Sequence, residues 1–152
     1  MFTPADPLYE ERIRRSFARQ GAMRMIGARL TRIEPGAVDI TLAYRSDLTQ
    51  QHGYLHAGIL STIVDTAGGY AGYSLFPADS SVLTVEYKLN LLAPGEGEFF
   101  IAEGRVARSG RTLSIVQGEV HAQSGERRTL CALMQQTLMV MRGRPDDDTR
   151  RN

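Results

Sequence analysis

Cysteine is almost missing from this chain: Cys131 is the single one in 152 residues. An intramolecular disulfide is therefore excluded, and a cysteine inside an apolar run is expected to pack as a small buried side chain. Long apolar runs are missing too. No stretch approaches the roughly 18 uninterrupted apolar residues of a membrane span, and the amino end, MFTPADPLYEERIRRSF, lacks the apolar core of a secretory signal. Nor is there an excess of charge of one sign. The formal net charge of +1 points to neither a nucleic-acid nor a membrane partner. These absences lead us to expect a soluble, cytoplasmic protein.

Several catalytic signatures are absent as well. There is no G-x-S-x-G nucleophile elbow, no G-x-x-x-x-G-K-[ST] phosphate loop and no glycine fingerprint of a dinucleotide fold between a strand and a helix. His52 and His56 stand four apart and could share a metal with Asp65, but a glycine separates the two histidines in a loop and no H-E-x-x-H pattern is present. No metal is expected.

What remains is the composition of one ordinary domain, with 42% apolar and 23% charged residues. Residues 6–20 carry Leu8, Ile13 and Phe17 among dense charges and end before Gly21, which predicts a short amphipathic helix and its stop. Residues 23–33 and 37–44 bracket the turn Glu34-Pro35-Gly36 as a hairpin. The alternation of Val38, Ile40, Leu42 and Tyr44 is clean. Four more strands are expected over residues 81–92, 98–108, 112–122 and 129–141, with turns at 93–97, Ser109-Gly110 and 123–126. Leu130, Ala132, Met134 and Gln136 should share one face of the last strand. The division is an N-terminal helical segment (1–22), a main domain (23–141) and a tail (142–152) with nothing to bury, for which disorder is expected.

Between these strands lies the stretch the chain is organised around, QQHGYLHAGILSTIVDTAGGYAGYSLF, residues 50–76. Ile59, Leu60, Ile63, Val64 and Ala67 form one apolar helical stripe, and Asp65 at its edge is the only charge between residues 57 and 78. Gly68, Gly69 and Gly72 each cost a helix about 1 kcal/mol, so close approach of another backbone is expected to compensate. The fold class is therefore α+β, an antiparallel sheet curled around one long, mostly buried helix. An arrangement this small, with an exposed sheet edge or an incompletely covered helix, favours a symmetric dimer.

The residues suggest an acyl-transfer chemistry. An N–H of Ala57 or Gly58 at the helix start can polarise a carbonyl, and Asp65 can serve as nucleophile or general base. The two lie about 12 Å apart along a helix, too far for one small group, unless a dimer supplies one role from each subunit. On these residues alone Asp65 could equally be a buried structural acid.

The run HGYLHAGILSTIVDTAGGYA, with YKLNLLAPGEGE and RVARSGRTLSIVQGEV after it, resembles the hot-dog-fold acyl-CoA thioesterases, specifically the PaaI-like (phenylacetate-degradation) family, over residues 33–141. The resemblance implies hydrolysis of an acyl-CoA, with an aryl or medium-chain acyl group, and coenzyme A as part of the substrate with no other cofactor. It implies a dimer, often paired into a tetramer, with each site shared between subunits. It matches Asp65 to the catalytic acid, Gln50 to an orienting amide (with Gln51 its neighbour), the Ala57 N–H to the oxyanion hole and Thr84 to a residue that places water. His52, His56 and Gly58 fall in the substrate-binding loop, and Arg108 and Arg111 in a loop near the coenzyme A nucleotide, where arginine can pair with phosphate. Relatives have H-G-G where this chain has His56-Ala57-Gly58. That departure keeps a non-catalytic acyl-CoA or aromatic-acid binding module as the second reading, and a hot-dog hydratase or dehydratase as the third.

Overall fold

The computed structural model describes residues 2–146. Its elements run α1 (Tyr9–Arg19), α2 (Gly21–Ile26), β1 (Arg29–Glu34), β2 (Ala37–Ala43), one 3-10 turn (Ser46–Leu48), α3 (Ala57–Tyr73), β3 (Ser80–Leu91), β4 (Phe99–Ser109), β5 (Leu113–Ser124) and β6 (Arg127–Arg142). The strands form one antiparallel sheet in the order β1-β2-β4-β5-β6-β3, which leaves β1 and β3 at the edges. Helix α3 lies on one face of it, against β2, β4, β5 and β3. This is the α+β, hot-dog arrangement expected from the sequence.

Alternation creates that face. Ile40 and Leu42 of β2, Phe100 and Ala102 of β4, Val120 of β5 and Ala132 of β6 are buried with Leu60, Ile63, Val64 and Ala67 of α3, and Val38, Val116 and Leu138 with its Tyr70, Ala71 and Tyr73. Each valine, leucine, isoleucine or phenylalanine among them contributes roughly 1.5–3 kcal/mol on burial, so the helix is fixed by its apolar stripe rather than by helix propensity, which three glycines weaken. The backbone approach expected at the helix glycines comes instead from the sheet. A Cβ on Gly104 of β4 would stand 2.5 Å from the Ala67 carbonyl, so α3 rests directly on the strand backbone there. Gly68 and Gly72 are packed by side chains, Gln136 and Leu138, and Gly69 faces open space.

Other expectations are corrected by packing. Residues 23–26 are helical, not strand, because Met23 and Ile26 are one helical turn apart and both enter the core; Gly27, with φ of 78°, ends α2. Gly21 is therefore the first residue of a second helix rather than the end of the chain's helical segment. The connection after β4 spans Gly110 to Thr112 instead of a two-residue turn. On β6, Cys131 is an extra residue between the pairs Val120↔Ala132 and His121↔Leu130. That bulge puts Leu130 on the outer face with His121 and leaves Cys131 wholly buried. Of the tail, Arg142 ends β6 and Asp146 pairs with Arg19 at 2.6 Å; residues 147–152 lie outside the described residues.

The far end of α3 is tied down by α1. Arg12, 8% exposed, donates to the carbonyls of Pro77 (2.6 Å), Tyr73 (3.2 Å) and Phe76 (2.9 Å), covers the Tyr73 ring, and pairs with Asp6 at 3.2 Å. A guanidinium suits a helix C-terminus, where unpaired carbonyls carry partial negative charge. On the outer face of the sheet, Arg128 is seated between Glu103 and His121, and Arg105 between Glu103 and Asp39.

Candidate active site

Asp65 sits halfway along α3, half-buried, and its Oδ1 accepts two hydrogen bonds: from Thr84 Oγ1 at 2.9 Å and from Gln136 Nε2. Burial pushes its pKa above the ordinary carboxylate value, while the Thr84 and then the Gln136 hydrogen bonds pull the other way. Desolvation wins, so the carboxylate is a stronger base than one in water. Its second oxygen, Oδ2, has no donor among the described residues, and the carboxylate lines a cavity of about 350 Å³ with Thr66, Gly69, Val82 and Thr84.

Gln136, expected from the sequence on one face of the last strand with Leu130, Ala132 and Met134, carried no site assignment there. It is wholly buried, and its Nε2 also donates to the Asp65 carbonyl at 3.2 Å and to Thr84 Oγ1 at 3.1 Å. Because these neighbours all accept, the NH₂ and not the oxygen must face them. Gln136 Oε1, pointed the other way, has no partner among the described residues. A Cβ at position 68 would overlap that oxygen, so Gly68 is what admits the amide. The available signal was a glutamine between Met134 and Leu138 on an otherwise apolar face: a buried amide needs partners, and polar groups opposite it are few.

Thr84 reaches Asp65 through a β-bulge. Thr84 pairs with Leu138 and Glu86 with Thr137, which leaves Val85 as the extra residue. Without it, the alternation that points Thr84 at the helix would also point Glu86 there; with it, Tyr87 takes that face. Tyr87 hydroxyl then accepts from Ser61 Oγ at 2.8 Å, one helical turn before Asp65. Neither Tyr87 nor Ser61 carried a site assignment from sequence.

The start of α3 is built differently. His56 is its N-cap: Nδ1 accepts from the Gly58 N–H at 2.9 Å, and its carbonyl accepts from Ile59 and Leu60. The Gly58 donor is thus engaged, whereas the Ala57 N–H has no acceptor among the described residues. Gln50 turns its Oε1 back onto the His52 N–H, and the Nε2 has no acceptor among the described residues. Gln50 and Ala57 line a second cavity, about 470 Å³, with Tyr54, Leu60, Leu91 and Pro94. Gln51 is exposed and lines neither of the two.

One chain therefore brings together Asp65, Thr84 and Gln136 at one place and Gln50 and Ala57 at another. His52 lies outside both cavities, beside Tyr44 and Glu96. Arg108 and Arg111 are exposed at the β4–β5 connection and line neither cavity. His52, His56 and Asp65 do not converge on a point. Among the described residues the one close group of three ligand-type side chains is Glu103, Glu119 and His121 on the outer face, into which Arg128 already points.

Comparison with known proteins agrees with this architecture. The family model of the thioesterase superfamily matches residues 52–129, from the loop before α3 into β6. A thioesterase family protein from Silicibacter pomeroyi, solved by crystallography, is 44% identical, superposes over 89% of this chain and 99% of that one, and has a TM-score of 0.87. The E. coli PaaI protein from the phenylacetic acid degradation operon shares the fold at 17% identity, over 90% of this chain and 96% of that one, with a TM-score of 0.81. A protein from Saccharolobus solfataricus that carries the provisional name of esterase is 33% identical over 77% of this chain and 75% of its own length. With an acid held on the central helix of a six-stranded antiparallel sheet, the chain belongs to the thioesterase superfamily and is an enzyme with the hot-dog fold.

Proposed function

We propose that the chain is an acyl-CoA thioesterase whose site is assembled from two copies. The observation that carries this reading is the separation of its two halves: an activated carboxylate in one cavity, an unpaired Ala57 N–H and the Gln50 amide in another. Asp65 stands eight residues after Ala57 on one straight helix, about 12 Å along its axis, and a thioester carbon cannot touch both ends of that span. A second copy supplies the missing half.

The edge strand supports the same conclusion. β3 leaves its outer backbone groups unpaired and exposes Leu83 (50%), Val85 (45%), Tyr87 (47%) and Leu91 (55%). A long apolar edge is an aggregation hazard unless something covers it. Antiparallel pairing of β3 with the same strand of a second copy covers it by two-fold symmetry and brings Thr84 and Asp65 to the other copy's helix start.

In that site the Ala57 N–H and the Gln50 Nε2 of one copy polarise the thioester carbonyl, and Asp65 of the other works from Oδ2. As general base, Oδ2 takes a proton from water while the water oxygen bonds to the acyl carbon; the carbon–sulfur bond then breaks, and the thiolate leaves with a proton. As nucleophile, Oδ2 itself bonds to that carbon, the carbon–sulfur bond breaks and the thiolate leaves with a proton, and water then cleaves the resulting anhydride. Both routes give a free acid and coenzyme A. A single turnover in ¹⁸O-water separates them: label enters Asp65 only by the second. No metal enters either route, and the exposed Arg108 and Arg111 are available to the nucleotide phosphates.

The test is thiol release from short, medium, long and aryl acyl-CoA esters by wild type and Asp65→Asn. Release that vanishes in the variant is the expected result. The Ala57 methyl, where a glycine would crowd the sulfur less, favours the second reading, a binding module. Calorimetric binding of the esters with no thiol release would establish it instead.

A further inference from the structure

The cavity that holds Asp65 has a second end. From the carboxylate it runs past Thr66 and Gly69 to Tyr70, and it is closed by Ser16 and Arg19 of α1 and by Gln20 just after it. Gly69 has nothing within 4 Å of where a Cβ would stand, so the passage along the helix is open. Tyr70 lies five residues after Asp65, about 7.5 Å along the axis, so its hydroxyl is reached only several carbons beyond the thioester.

That far wall is polar. Ser16 Oγ and Tyr70 hydroxyl are 2.9 Å apart, and Gln20 Nε2 donates to the Tyr70 oxygen at 2.8 Å. The two hydroxyls are 8% and 3% exposed by residue, and between them they carry two protons. One proton closes the Ser16–Tyr70 bond. The other has no acceptor among the described residues, whichever of the pair donates. That proton faces the cavity, so this wall favours a ligand that brings an oxygen to it. The charge beside it is already balanced, since Arg19 pairs with Asp146 at 2.6 Å, and Asp65 at the other end repels a second carboxylate.

We propose, on the basis of the thioesterase reading above, that this end of the cavity selects acyl groups carrying a neutral hydrogen-bond acceptor, a keto or ether oxygen, near their far end. Ser16 and Tyr70 are the specificity-determining pair, and α1 is part of the acyl site. An acyl chain of plain hydrocarbon leaves the free hydroxyl proton unsatisfied; one ending in a carboxylate meets Asp146, whose charge Arg19 already balances.

The experiment compares kcat/KM for each straight-chain ester from pentanoyl- to octanoyl-CoA with the ester of equal length bearing a keto group one carbon from its end. The same pairs, with their dicarboxylate counterparts, are titrated calorimetrically into Asp65→Asn protein, so that binding is read without turnover. For at least one chain length the keto ester is expected to be preferred on the order of fivefold to tenfold in both assays. In Ser16→Ala/Tyr70→Phe the ratio is expected to fall to about one, and in Ser16→Ala alone to an intermediate value. A ratio near one in the wild type at every length overturns the proposal. So does a preference that survives the double change, or tighter binding of the dicarboxylates. If no ester releases thiol, the thioesterase reading fails, and the calorimetric ratio still decides the pocket.

Discussion

The two ends of helix α3 are held in opposite ways. At its C-terminal end Gly68 to Tyr73 are buried without exception, Leu138 packs onto Gly72, and the Arg12 guanidinium closes the last carbonyls from inside the fold. At its N-terminal end Ala57 and Ile59 are half-exposed, the Ala57 N–H has no acceptor among the described residues, and the neighbouring strand β3 displays Tyr87 and Leu91 to solvent. Asp65 marks the border. One end is finished by packing within a single chain; the other is half-exposed, and we propose that a second copy covers it. Burial, more than polar pairing, distinguishes the two, since the Tyr73 hydroxyl is buried at the finished end without a partner among the described residues.

Changes at either side of the border sharpen this contrast. The largest effect is expected from Asp65→Asn, which lowers thiol release by about 10²-fold or more, as loss of a general base does. The same change should raise the melting temperature at neutral pH. The folded-state pKa of Asp65 is raised by burial, so its contribution to stability is present below the unfolded value and is lost as pH rises through the folded one. The gain from asparagine therefore fades as pH drops below the ordinary aspartate value of about 4. At the finished end, Arg12→Met leaves Asp6 buried without its partner and three carbonyls without a donor; a loss on the order of 3 kcal/mol in urea unfolding is expected.

Glycine to alanine gives a matched pair inside the helix. Gly72→Ala collides with Leu138 and should destabilise by roughly 1–3 kcal/mol. Gly69→Ala meets nothing within 4 Å and should stabilise by up to about 1 kcal/mol, while its methyl enters the Asp65 cavity and lowers kcat/KM most for the bulkiest acyl groups. The smallest effect is on pH. The acid limb of kcat/KM should lie above the ordinary aspartate range, and Thr84→Val or Gln136→Leu should move it higher, because each removes a hydrogen bond that favours the charged form. A limb that stays in place in both variants would mean that Asp65 is not the titrating group.

Much of this was legible in the sequence. The alternation of β2 and the later strands, the apolar stripe of α3, its start after His56 and the lone acid on it all follow from periodicity and capping, which are local properties. What was not legible depends on packing between distant segments. Met23 and Ile26 form a helix because the core beneath them accepts two side chains one turn apart. The bulges at Val85 and Cys131 flip which residues face α3, and a one-residue insertion in one partner leaves little trace in the alternation of either strand. Gln136 was visible as a polar residue on an apolar face; its partner, seventy-one positions away, was not. Ser16 and Gln20 drew no assignment from the sequence, because nothing in residues 6–20 alone tells that Tyr70 lies opposite.

The central claim is that each site takes Asp65 from one copy and Gln50 with Ala57 from the other, and subunit mixing tests it directly. Asp65→Asn and Gln50→Ala proteins, each impaired alone, are unfolded together, refolded at equal ratio and assayed for thiol release. In a two-fold dimer half of the re-formed pairs are mixed and each mixed pair holds one intact site, so activity should recover to about one quarter of wild type. Activity that stays at the mean of the two separate variants would contradict a shared site and place both halves of the chemistry within one chain.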